Sequence, residues 1–220
     1  MLREIQIFLV TFCIAIISPG LAVAVPVTFS FTGTLTSVYA TVEPYVGDGS
    51  ISGYYTFESN PSDVFDGGDG LQYRNAILDM SFSVGGGMLS ATYSPPVPLP
   101  ENANRIRVRG DFYQPSISGV YGGLNGPQLS GIVLRDWDIS LDAAFPASPL
   151  GSDALPLLPP NPLDFDFAQI RVWYEVAPGR ISGAFYQVDS LTVTSVPLPS
   201  AIWFFGTGLL GLVGIARQKV

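Results

Sequence analysis

The stretch VTFSFTGTLTSVY places Phe29, Phe31, Leu35 and Tyr39 at alternate positions, with Thr28, Ser30, Thr32, Thr34 and Thr36 on the other parity. Successive side chains of an extended chain point to opposite faces, so this alternation predicts an antiparallel strand with one face in a core and one in water. The same reading gives strands over Ser50 to Glu58, Ala76 to Val84, Met88 to Tyr93, Arg105 to Tyr113, Leu129 to Trp137, Phe165 to Val176 and Arg180 to Thr194. Gly85-Gly86-Gly87 between two of these predicts a hairpin connection. Between the two ends of the chain no stretch sustains a helical period. The expected fold is therefore all-β, a single antiparallel β-sandwich, jelly-roll-like in outline, over residues 25-195.

Proline cannot serve a central strand, which makes surface connections of Ser94 to Asn102 and of Phe145 to Asp164. The second is long enough to be functional or mobile. A domain boundary there would leave only about two strands beyond it, too few for an independent sheet.

Apolar runs flank this domain on both sides. Residues 1-24 carry Arg3, an apolar run from Ile5 to Ile17, a break at Ser18-Pro19-Gly20 and the triplet Ala22-Val23-Ala24. That is the layout of a secretory signal peptide with an A-x-A site, cut after Ala24. The alternative is an uncleaved anchor, for which the run is short. Near the other end, Ala201 to Ala216 holds no charge and is followed at once by Arg217 and Lys219. With help from Leu198 to Ser200 it predicts a short transmembrane helix over about 200-216, whose basic flank stays in the cytoplasm. A core helix is the alternative, but Gly206, Gly208, Gly211 and Gly214 would weaken it in water and it has no polar face.

The tail reads V-P-L-P-x-x-x-W-x-F-G-x-G-L-L-G-L-x-G-x-A-R from Val196, Pro197, Leu198 and Pro199 to Arg217, with Lys219 just beyond. It resembles the PEP-CTERM sorting signal, whose founding form has Glu where this chain has Leu198. The resemblance implies that an exosortase-type membrane protease is a partner. It also implies export, temporary anchoring in the inner membrane facing the periplasm, cleavage near Pro197 to Pro199, and transfer to the cell surface or extracellular matrix. Such proteins are typical of Gram-negative bacteria that make exopolysaccharide. The same tetrapeptide at Val97 to Pro100 is followed by Glu101, Asn102 and a strand, not by an apolar span, and reads as a loop.

Removal of the signal peptide takes Cys13 with it, leaving a domain without Cys or His. Disulfides, the common nucleophile and base pairs, and most zinc sites are thereby excluded. No G-x-S-x-G elbow is present, and a non-enzymatic protein is expected. The domain's seven arginines face seventeen carboxylates, a net charge near minus ten that disfavours nucleic acid and anionic lipid as general partners.

Three local patterns carry chemistry. In NRIRVRGDF, Arg105, Arg107 and Arg109 share one strand face while Ile106, Val108 and Phe112 take the other. Such a row is either a clamp for carboxylates or sulfates of an acidic polysaccharide, or a solvated face paired with acids of the next strand. Asp63, Asp66 and Asp69 in a glycine-rich stretch either gather a calcium ion or make ordinary turns, and calcium is the one cofactor the residues suggest. A calcium-dependent carbohydrate-binding module is the corresponding alternative function. The pairs Asp136/Asp138 around Trp137 and Asp164/Asp166 around Phe165 would, on strands, offer two carboxylates on one face, the minimum for a glycoside hydrolase. Trp137, Trp173 and the tyrosines either stack on sugars or fill the core.

Overall fold

The computed structural model describes residues 25-68, 70-93, 103-118, 133-144 and 146-195. The signal-peptide site at Ala22 and Ala24, Asp69, the loop Ser94 to Asn102 and the whole tail from Val196, with its expected helix over 200-216, lie outside them. Among the described residues no helix is long and apolar enough to cross a membrane.

The strands are β1 (Pro26–Val38), β2 (Ser50–Glu58), β3 (Val64–Asp66), β4 (Leu71–Arg74), β5 (Ile77–Val84) and β6 (Leu89–Tyr93), then β7 (Asn104–Arg109), β8 (Phe112–Ser118), β9 (Val133–Asp142), β10 (Phe167–Ala177) and β11 (Arg180–Ser195). All pair antiparallel, in the order β3-β4-β7-β8-β9-β10-β11-β1-β2-β5-β6. The all-β expectation is met. The two layers of the expected sandwich are, however, the opposed halves of one continuous sheet.

What curls the sheet is burial of its single apolar face. Trp137 of β9 is fully buried and lies 5.4 Å from the ring of Phe31 (β1), 5.7 Å from Tyr55 (β2) and 6.3 Å from Phe82 (β5), strands from the far half of the order. The hydroxyls of Tyr55 and Tyr113 (β8) hydrogen-bond across the interior at 2.8 Å. Burial pushes both phenols well above their ordinary range, so both stay neutral and the pair is a fixed polar pin in an apolar core.

A side chain closes the curl. Asn104, 4% exposed at the start of β7, donates its amide N–H to the carbonyl of Ile77 at 2.7 Å and to the Tyr93 hydroxyl at 2.9 Å, and accepts from the Ile77 N–H at 3.0 Å. It thus satisfies both backbone groups of the first residue of β5 where strand pairing does not. The open end near the β7–β8 turn is covered by the proline-rich strap over 146-164. Leu155 and Phe165 enter the core, and Tyr73 holds the strap by donating to the Asp153 carbonyl and accepting from the Leu155 N–H. This connection, expected at the surface, packs on the fold as its lid.

Strand positions follow the alternation except that β9, expected over Leu129 to Trp137, runs on to Asp142 with residues 129-132 outside the described ones, and that parity or pairing changes at three other places. Arg105 to Tyr113 is two strands, because Gly110-Asp111 makes a tight turn in which the Asp153 carboxylate accepts the Gly110 N–H at 2.9 Å. β3 and β4 form a short hairpin where only turns were expected. In β1 a bulge between Leu35 and Ser37 reverses the parity, so Val38 packs on the core and Tyr39 is 54% exposed instead of sharing the inner face with Phe29. The glycine triplet does join β5 to β6, with positive φ at Gly85, Gly86 and Gly87. β1 and β11 run together to the ends of the domain, with Thr28 opposite Ser195.

Replacing Asn104 by Ala leaves the buried N–H and C=O of Ile77 without partners, at about 1–3 kcal/mol each. A loss of about 3 kcal/mol in chemical denaturation followed by tryptophan fluorescence is expected, with β5 amides exchanging first.

Candidate functional site

The filled interior leaves the convex face of the sheet for chemistry. In register across it, Arg74 stands opposite Arg105, Arg105 opposite Ser116, Ser116 opposite Asp138, and Asp138 opposite Arg171. In the next row Gln72 is opposite Arg107 and Arg107 opposite Gln114. The expected arginine face therefore exists, and β4 adds Arg74 to it. Neither strand flanking β7 sets a carboxylate opposite Arg105 or Arg107.

Two details of the expected row change. Arg109 turns to the carboxylate of Asp111 in the β7–β8 turn and leaves the cluster. Phe112, expected on the inner face, is opposite Arg109 on the outer one, because the turn restarts the parity. Its ring lies 5.3 Å from the Arg107 guanidinium, and that of Phe65 lies 4.3 Å from Arg74. Aromatic rings thus cover one side of these cations and partly dehydrate them. Burial, with Arg107 and Arg74 nearby and Asp138 opposing, lowers the pKa of Arg105. The Nε atoms of Arg105 and Arg107 are buried and have no hydrogen-bond acceptor among the described residues. Like charges directly opposite one another, as Arg74 and Arg105 are, cost stability.

The acid in the row of Arg105 is Asp138, two strands from β7. It is already engaged: Arg171 donates to its Oδ1 from Nε at 2.8 Å and from Nη2 at 2.7 Å, and Gln114 donates at 3.4 Å. Burial raises the pKa of Asp138, and Arg171 then Gln114 oppose that rise.

The carboxylate pairs diverge from what a hydrolase needs. Asp136 and Asp138 do share the outer face, but Trp137 points inward and is no platform for them. Asp164 lies in a one-turn 3-10 segment (Pro162–Asp164) and Asp166 precedes β10, so they are not alternate residues of a strand. Asp164 accepts from the Asn161 amide at 3.1 Å and Asp166 from the Ala144 N–H at 2.6 Å, fastening the strap. Phe165 between them is a core residue. Asp63 precedes β3 and Asp66 is its last residue, accepting the Gly68 N–H at 3.0 Å as a turn aspartate does. Among the described residues no group of three acidic side chains converges as a metal would require.

Arg74 and Gln72 are not legible as strand residues because Leu71-Gln72-Tyr73-Arg74 completes only two alternation cycles. Trp173 is half-buried on the outer face, unlike Trp137. Comparison with protein-family models, curated proteins and solved structures gives no match, so the function is argued from this face and from the sequence.

Replacing Arg171 by Gln removes the main donor to a buried carboxylate and should cost about 2 kcal/mol at neutral pH. Because the folded chain holds the Asp138 proton more tightly than the unfolded chain does, its charged form is the costly one. The deficit relative to the parent should therefore shrink as pH falls through the raised titration of Asp138. Paired denaturation curves at several pH values measure it.

Proposed function

We propose that the chain is an exported, non-enzymatic cell-surface protein whose convex face binds acidic extracellular polysaccharide. The observation that carries the binding reading is the lack of any carboxylate opposite Arg105 and Arg107, beside Arg74. A solvated charged face is ordinarily neutralised by its cross-strand neighbours, whereas Arg105 and Arg107 face only Arg74, Gln72, Gln114 and Ser116 across the described strands. Guanidiniums fixed against Phe65 and Phe112 match planar carboxylates and sulfates, which take two parallel N–H donors. The surrounding domain is strongly acidic and repels any polyanion at long range, so attraction has to come from contacts at the basic strip itself.

Destination rests on the two ends. The signal peptide ending at Ala24 sends the chain across the inner membrane, and the PEP-CTERM-like tail, with a helix over 200-216 and the Arg217 and Lys219 flank, holds it there. An exosortase-type protease then cuts near Pro197 to Pro199. Two prolines keep that stretch extended, as a protease cleft requires.

Mass spectrometry in the native host should find surface material ending near Pro199 and a minor membrane pool retaining Lys219. Intact tails on all released protein would refute the processing. For binding, the double variant Arg105→Gln, Arg107→Gln should lose roughly tenfold or more in affinity for a polyuronate at low salt. The parent's affinity should fall steeply as salt rises. A parent insensitive to salt and to both substitutions would remove the arginine face as the site.

A further inference from the structure

A second feature of the same face lies three strands from β7, at roughly 14 Å. Trp173 of β10 stands between Asp136 of β9 and Gly183 of β11. Its six-membered ring fills the space above Gly183: a Cβ there would stand 2.9 Å from Cε3 and 3.0 Å from Cζ3. The indole cannot fold down further, and glycine at 183 leaves it room to lie close to the sheet. Phe185 meets it edge-on, with centroids 5.2 Å apart and planes at 89°. Tyr39, put outside by the bulge in β1, extends the group at 6.0 Å from Phe185, and its N–H donates to the Gly183 carbonyl at 3.0 Å. The result is an outward aromatic floor and wall on a rigid part of the sheet.

These rings do not form an apolar patch of the kind a protein partner would cover. Phe185 is opposite Arg171, the guanidinium fixed on Asp138, and Trp173 is opposite Asp136. Aromatic surface bordered by planar, immobilised polar groups suits a pyranose, which presents a C–H face for stacking and hydroxyls around its rim. Phe185 also ends the row that begins at Arg74 and Arg105, with the buried Ser116 and Asp138 between the two features.

We propose that Trp173, Phe185 and Tyr39 form a sugar-stacking subsite that takes a ring of the acidic polysaccharide bound by the arginine face. The subsite rests on the polysaccharide-binding reading above and adds to it the recognition of sugar as distinct from charge.

The test uses the full chain in detergent micelles, with alginate as an anionic polysaccharide and polyaspartate as a polyanion without sugar rings. Trp173→Ala should weaken alginate binding about fivefold and leave polyaspartate binding and the salt dependence unchanged. Trp173→Phe should recover most of the loss, and the exposed Tyr39→Ala should weaken alginate binding about twofold. Arg105→Gln with Arg107→Gln should weaken both ligands. If Trp173→Ala and Tyr39→Ala bind alginate as the parent does, or if Trp173→Ala loses both ligands equally, the subsite is refuted and the arginine face stands. A parent that binds polyaspartate but not alginate refutes the subsite too, and a parent that binds neither refutes both readings.

Discussion

An open sheet with one apolar face has only itself to bury that face against, and everything in this domain follows from that wrap. Trp137 is where the wrap is tightest, since rings from β1, β2 and β5 reach it from the opposite half. The Tyr55–Tyr113 hydrogen bond fixes the separation of the halves, and Asn104 ties β7 to β5 where main-chain pairing ceases. The strap then covers the remaining opening with Leu155 and Phe165. Dispersion and burial drive closure, while the few interior polar groups determine where it stops.

Filling the interior with aromatic rings decides where function can reside. A curled sheet that encloses a cavity offers ligands its inside; this one packs aromatic rings about Trp137 and carries its arginine rows on the convex face. There the cross-strand register acts as an organiser, because residues distant in sequence become neighbours in a row: Arg74, Arg105, Ser116, Asp138, Arg171 and Phe185 come from six different strands. Asp138 separates the cationic end from the aromatic end. Its carboxylate, shared between Arg171 and Gln114, keeps Arg171 still beside Phe185.

Alternation made the long strands legible. β2 begins and ends where the pattern of Ser50 to Glu58 does, and β1, β5, β10 and β11 fall within a few residues of expectation. Failures occurred where parity is reset by something local. Gly110-Asp111 sits inside an unbroken alternation, so Phe112 was given the wrong face; the bulge before Ser37 did the same to Tyr39. Those two errors hid part of the candidate site, since both residues belong to the outer surface. Arg105 and Arg107 were readable as a row, but their lack of opposing acids was not, because partner strands and register are long-range properties. The inward turn of Trp137 and outward turn of Trp173 follow from strand phase, which composition does not reveal.

β11 is the longest strand, sixteen residues, and it is hydrogen-bonded to β10 on one side and β1 on the other. Whatever is attached beyond Ser195 pulls directly along it. A force in that direction acts parallel to two ladders at once, loading many hydrogen bonds together in shear, whereas a tail on β3 or β6 would peel an edge one bond at a time. The strand that leads out of the domain toward the chain's end is thus one that the sheet holds on both sides, and a load applied there would be borne in shear.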